Sequence, residues 1–334
     1  MLNRDRQRNS EGFSLIELLV AVAITFMIIL YTTATFTFQQ QTYLNVEQIS
    51  ETQQNSRAIG SLIERDIRNA GFMVPPAAAA CGADADDGSD QLFLSDADAI
   101  RNIDELTSTL ATGDLGADVS SIVSGTPDVV SVDDVVIDGQ ATYDIDADGT
   151  TDSDFQVGGG AILVDTANTD RGVRCGSITA IKTSTPQNVS VNFLNDFGAA
   201  ATIGENLILV PAHAYIQSDG PPPQLRRNGQ LMATNVEDLQ VAYFYDDDED
   251  GQVDAGEYRG TSTVDYDPSA SVGENLREIR FNLILRTGSD DLHRPNNAGT
   301  GQQTENRDTD IAGDDGRRRR LHTTTVRLRN IQAD

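Results

Sequence analysis

The sequence predicts an α+β fold: a long N-terminal α-helix, membrane-spanning in its first half, packed on a mainly antiparallel β-sheet head. Three observations predict it. An apolar run extends from Phe13 to Phe38. No proline occurs between Phe13 and Pro75. Beyond residue 77 the chain turns to Asp, Gly, Thr and Ala with short β-like runs and no helical pattern of useful length.

The amino terminus comes first. Residues 1–12, MLNRDRQRNSEG, are polar and carry Arg4, Arg6 and Arg8, which hold that end on the cytoplasmic side of a membrane. The apolar run that follows, about 26 residues at about 1.5 Å rise each, gives a helix of roughly 39 Å. A hydrocarbon core of about 30 Å is spanned by that length. An ordinary secretory signal ends its apolar region at a small-residue cleavage site, whereas here Gly12 precedes the run, so a cut there leaves the span on the product. Glu17 interrupts the run, and a carboxylate at mid-bilayer costs on the order of 3 kcal/mol, so it needs a partner or a place at the interface.

The residues GFSLIELL, with Gly12, Phe13 and Glu17 as fifth residue of the mature chain, resemble the class III signal of type IV prepilins and pseudopilins. The resemblance implies a leader, residues 1–12, removed by prepilin peptidase between Gly12 and Phe13, and N-methylation of Phe13. It also implies a single-pass inner-membrane precursor with a cytoplasmic amino end, a periplasmic head, and later a place in a filament at the cell surface among other pilins. There Glu17 would face the amino group of a neighbouring Phe13. Glu11 departs from the pattern, which more often has a basic residue at that place.

The helix is expected to continue from residue 39 to residue 71. Ile59, Leu62, Ile63, Ile67 and Ala70 recur at three- and four-residue spacing and share a stripe, opposite Arg57, Glu64, Arg65 and Arg68. Gly71 with Pro75 and Pro76 stops it. The stripe is read as docking on a sheet, although a coiled coil would use the same pattern. LIERDIRNAGF, Leu62 to Phe72, resembles the end of the long helix in PilW-type minor pilins.

The head is expected over residues 77–334. Its strands are read at Val129–Val136, Ala161–Val164, Ser177–Ile181, Val189–Phe193, Leu207–Val210, Leu239–Tyr245, Ile279–Leu285 and Thr323–Leu328. Leu239, Val241, Tyr243 and Tyr245 alternate, as do Ile279, Phe281, Leu283 and Leu285, so one face of each is expected to be buried. Gly82–Asp90 and Gly288–Arg317 read as loops. PDVVSV at Pro127, ILVD at Ile162, NVEDLQVAYFYD at Asn235, LREIRFNLILRT at Leu276 and LHTTTVRLRN at Leu321 resemble successive segments of PilW-type heads. They do not separate a pilus subunit from a J-type pseudopilin of type II secretion.

One loop carries recognisable chemistry. From Asp246 the chain reads DDDEDGQVDAGE, placing Asp246, Asp248 and Asp250 at positions one, three and five of an EF-hand-like loop, Gly251 at six and Glu257 at twelve. Alternate carboxylates converge on a hard cation, glycine permits the sharp turn, Gln252 offers its carbonyl, Asp254 acts through water and Glu257 binds through both oxygens. Ca2+ in a structural role is therefore expected. The competing reading is an acidic hairpin turn in an aspartate-rich chain. A second run, with Asp144, Asp146, Asp148 and Asp152, lacks the closing glutamate, having Phe155 there, and is a weaker candidate.

The net charge is −28, with 52 acidic residues against 24 basic ones, and Lys182 is the single lysine. Such a surface disfavours polyanions, so nucleic acid is not an expected partner. The one basic cluster, Arg317–Arg320, is expected to pair with acidic loops, DNA phosphates being the alternative. Cys81 and Cys175 have no metal-type spacing and read as a disulfide once the head is exported. His213, His293 and His322 stand in no triad or metal motif and read as surface or loop residues. No catalytic residue and no small-molecule substrate is expected. The expected function is therefore structural: a minor pilin that initiates or caps a type IV pilus, with a type II secretion pseudopilin and a membrane-anchored calcium-binding adhesin module as the other readings.

Overall fold

The computed structural model describes residues 14–85, 88–101, 115–137, 152–196, 206–261, 264–290 and 316–331. Residues 15–69 hold a single glycine and no proline, and they form one α-helix, α1 (Leu15–Asn69). The chain divides into two compact units, Met1–Glu51 and Thr52–Asp334.

In the first unit the apolar side chains from Leu15 to Phe38 are exposed. The threonines scattered through this stretch do not leave hydroxyls unsatisfied. Thr25, Thr32, Thr33, Thr35 and Thr42 each donate to the carbonyl one turn back, at 2.7–3.0 Å. Every polar group they bring is thereby met inside the helix, as an apolar solvent requires.

In the second unit the helix continuation buries Ile59, Ile63, Ile67 and Ala70, while Arg57, Arg65 and Arg68 remain exposed, as the stripe predicts. Leu62, at the stripe's margin, is half-buried. The strands that follow are β1 (Ala80–Ala83), β2 (Gln91–Leu94), β3 (Ala117–Val123), β4 (Asp128–Val132), β5 (Gly160–Asp165), β6 (Val173–Lys182) and β7 (Asn188–Phe193). Then come β8 (Leu207–Ser218), β9 (Gln224–Arg227), β10 (Gln230–Thr234), β11 (Val236–Tyr245), β12 (Tyr258–Arg259), β13 (Leu276–Arg286) and β14 (Arg319–Arg327).

Every pairing among these strands is antiparallel. In the larger sheet the order β8-β3-β4-β7-β6-β5 returns to β8, because β5 also pairs with β8, so six strands close into a ring. β8 belongs to two arrangements. Its first half pairs with β5, Leu209 facing Leu163, and its second half pairs with β2 and β9, Tyr215 facing Leu92 and Arg227. The ring encloses a core that includes Phe155, Ile162, Val164, Cys175, Val191 and Leu209. The smaller sheet, β12-β11-β13-β14, shares a second core with the helix: Ile59, Ile63 and Ile67 pack with Val241, Tyr243, Phe281 and Leu283.

The structure departs from the strand and loop expectations in three places. β11 is buried on both faces, Gln240 and Ala242 as fully as Leu239 and Val241, because the segment before β2 covers its outer side. The described residues of that segment depart from a loop reading: Gly82 and Ala83 belong to β1, and buried Asp90 accepts the Val241 N–H at 2.7 Å and the Ala85 N–H at 3.0 Å. Finally, β8 runs to Ser218 and β14 begins at Arg319, whereas the strand read from Val129 stops at Val132.

Candidate functional site

Two features carry chemistry, and each lies in one unit. In the first unit, Glu17 sits in the first turn of α1, where its carboxylate accepts the Ser14 N–H at 3.0 Å and so caps the helix start. The helix it begins is the one helix among the described residues long and apolar enough to cross a membrane, and none of its apolar window is buried within the chain. Gly12 and Phe13, the expected cleavage pair, lie outside the described residues.

In the second unit, β11 delivers Asp246 to the start of the acidic loop and β12 receives the chain at Tyr258. Hydrophobic alternation builds β11, and the aspartates begin where the strand's apolar pattern ends. Asp246, Asp248 and Asp250 bring one carboxylate oxygen each to within 4.8 Å of the others. Asp246 is buried, while Asp248 and Asp250 face solvent. Gly251 turns the loop at φ +82°, and its N–H donates to both carboxylate oxygens of Asp246 at 3.2–3.3 Å. A Cβ there would meet nothing within 4 Å, so conformation and not space calls for glycine.

Three of the expected ligands therefore converge, and the others stand differently. Glu257 does not join the trio. Its Oε1 accepts the Asp247 N–H at 2.8 Å and its Oε2 the Asp254 N–H at 2.5 Å. Those backbone donors, with Asp254 foremost, hold its carboxyl below the usual range. Asp254 and Gln252 are exposed, and the Gln252 N–H donates to Asp250 at 2.8 Å. Asp246 also holds Arg277, whose Nε lies 3.1 Å from Oδ2. The arrangement suits a hard cation: three carboxylates of one sign converge with a single guanidinium to offset them. Of the second acidic run, Asp144, Asp146 and Asp148 lie outside the described residues, and Asp152 is half-buried.

Cys81 on β1 and Cys175 on β6 form a disulfide, with their Cα atoms 6.1 Å apart, which ties the strand after the helix to the ring. Two members of the basic cluster pair with carboxylates: Arg317 lies 3.3 Å from Asp290 in the loop after β13, whereas Arg319 holds Glu237 through two contacts of 2.6 and 2.8 Å, on strand β11 and not on an acidic loop.

Sequence reasoning missed the ionic centre of the second unit. Asp66 is buried on the inner face of α1, where its Oδ2 accepts the Tyr215 hydroxyl at 2.6 Å and the Arg227 Nε at 2.9 Å. Burial raises the Asp66 pKa, but the Tyr215 hydrogen bond and the Arg227 charge outweigh it, and the net effect is downward. The signal was present: residue 66 falls three after Ile63 and seven after Ile59, on the apolar stripe itself. His213 corrects the surface reading, for it is buried in β8 with Nε2 3.4 Å from an Asp96 carboxylate oxygen. His322 is half-buried on β14, and His293 lies outside the described residues.

Two family models match the chain. Residues 217–330 match the type IV pilus-assembly protein W family, and residues 7–32 match the prokaryotic N-terminal methylation motif. The first match covers β9 to β14 and thus contains the acidic loop; the phrases at Leu62, Pro127 and Ile162 fall outside both. No curated protein matches. Among solved structures, a type IV-like pilin from Thermus thermophilus is similar at 15% identity, over 53% of this chain and 90% of that one, with a TM-score of 0.23.

Proposed function

We propose that this chain, which is of the PilW type and opens with a prepilin methylation motif, serves as a minor pilin that primes or caps a type IV pilus. One observation carries the reading. The helix from Leu15 to Phe38 keeps its apolar side chains uncovered within the chain and directly overlaps the matched motif. Exposed apolar surface of this extent is stable only in lipid or against other such helices. A precursor held in the inner membrane uses the first solution and a filament subunit the second. Prepilin peptidase cuts between Gly12 and Phe13, Phe13 is N-methylated, and Glu17 then meets the amino group of a neighbouring subunit in place of lipid. The head contributes surface for assembly and carries the acidic loop. The match to the pilus-assembly family favours a pilus over a secretion pseudopilus, whose subunits would use the same residues.

The acidic loop is a structural calcium site in this reading. Asp246, Asp248 and Asp250 would hold the ion, with Asp254 acting through water, the Gln252 carbonyl in register and Glu257 bracing the loop. Bound calcium supplies positive charge that offsets mutual repulsion among the carboxylates.

Glu17→Ala tests the filament reading in cells. The variant should be processed like the parent yet be missing from sheared filaments; normal incorporation would contradict the proposal. Titration calorimetry tests the metal. Calcium should bind the full chain in detergent micelles, and Asp248→Ala should weaken it at least tenfold; heat identical for parent and variant would contradict the site.

A further inference from the structure

We propose that the outer edge of β14 is a docking site for an acidic, extended polypeptide segment, which adds to the four-stranded sheet as a fifth strand. β14 is terminal in the order β12-β11-β13-β14, and no described strand pairs with its outer side. Nine residues long, it presents a row of backbone N–H and C=O groups of the kind that recruits another strand, whereas the opposite edge, β12, has only two residues. Thr323 and Thr325 are exposed on this strand, and β-branched residues favour extended neighbours.

Charge selects the partner. A cleft of about 550 Å³ runs along the strand's end, lined by Arg68, Thr325, Val326, Arg327, Leu328 and Arg329. Among the described residues three guanidinium groups and no carboxylate line it, while Arg327 also borders the neighbouring cleft that Asp246 and Glu249 line. Arg68 is tied to Glu64 one turn earlier, while Arg327 and Arg329 are exposed and form no ion pair with a described carboxylate. Arg320 stands exposed at the strand's other end. In a chain of net charge −28 this is a concentrated exception: Arg320, Arg327 and Arg329 lie within ten residues, while Arg317 and Arg319 are already held by Asp290 and Glu237.

Charged residues on an edge strand often serve to prevent pairing, which is the competing explanation. That use places a charge in the middle of the exposed row. Here Leu321, Thr323 and Thr325 fill the middle without charge, and the arginines flank them, leaving the backbone open and biasing it toward an anionic strand. The inference concerns the head alone and stands whether or not the chain enters a filament.

The test uses the full chain in detergent micelles and fluorescence anisotropy with three labelled ten-residue peptides. One alternates valine with aspartate, one alternates valine with lysine, and one is the acidic peptide with alternate backbone amides N-methylated. The acidic peptide should bind at least tenfold tighter than the basic one. N-methylation should weaken it at least tenfold, a change that leaves the protein untouched. Arg327→Glu with Arg329→Glu should do the same, with circular dichroism unchanged. Absent binding, indifference to N-methylation, or tighter binding of a DNA duplex of equal length would each overturn the proposal.

Discussion

The Tyr215 hydroxyl donates a 2.6 Å hydrogen bond to Oδ2 of Asp66, joining α1 to β8 across 149 residues of sequence. Arg227 on β9 closes the group, its Nη2 2.7 Å from the same oxygen. A carboxylate with 2% of its side chain exposed is tolerable only with such partners, and removing one strands the others. Asp66→Ala should therefore destabilise the chain by about 3 kcal/mol and Tyr215→Phe by about 1.5 kcal/mol. Denaturant unfolding of both variants and their double mutant measures the coupling; an Asp66→Ala variant as stable as the parent would refute the role.

Two separate groups, His322 on β14 and Asp66 on α1, make stability depend on pH. Burial and the charge of Arg320 hold His322 below its ordinary value of 6.5, opposed only by Glu64, so the unfolded chain takes up that proton more readily. Stability is thus fully present above 6.5 and declines as pH falls through the folded His322 value. Asp66 adds a second loss below its ordinary 3.8, since its folded value is lower still. Thermal unfolding from pH 8 to pH 3 should show a melting temperature that falls with acid. Asp66→Asn should flatten the lower part of that curve.

Gly176 lies in β6 against the backbone of its neighbour β7. A Cβ there would stand 2.2 Å from the Asn192 carbonyl oxygen and 2.7 Å from the Phe193 Cα, atoms that cannot swing aside. Gly176→Ala should cost about 2 kcal/mol or more and displace β7. Unchanged melting would show that the ring yields more easily than its geometry implies.

The Cys81–Cys175 bond closes a loop of 94 residues, which by chain entropy stabilises the folded state by about 4–5 kcal/mol. Reduction, or a paired Cys81→Ala and Cys175→Ala substitution, should lower the denaturation midpoint accordingly. An unaltered midpoint would mean that the bond contributes nothing to the fold.

Legibility in the sequence followed the range of the interactions. Local period made the helix readable, down to Ile59, Ile63 and Ile67 as its inner face, and alternation placed most of β11 and β13. The register of Asp246, Asp248 and Asp250 announced a convergent trio, because ligands in one loop share one local turn. Long-range facts were not readable. Closure of the ring depends on β5 meeting β8, strands whose pairing leaves no mark in either segment's period. Asp66 needed Tyr215 and Arg227 to make sense, and those lie on other strands. Glu257 resisted for another reason: its oxygens can serve an ion or the loop's own N–H groups, and the spacing is the same for both.

Intact-mass analysis of the chain expressed with and without a prepilin peptidase reads out directly whether the amino terminus is a prepilin leader. The peptidase should remove residues 1–12, with one methyl group added to the new amino terminus at Phe13. A chain of unchanged mass in the presence of active peptidase would contradict that reading and leave an anchored binding module in its place.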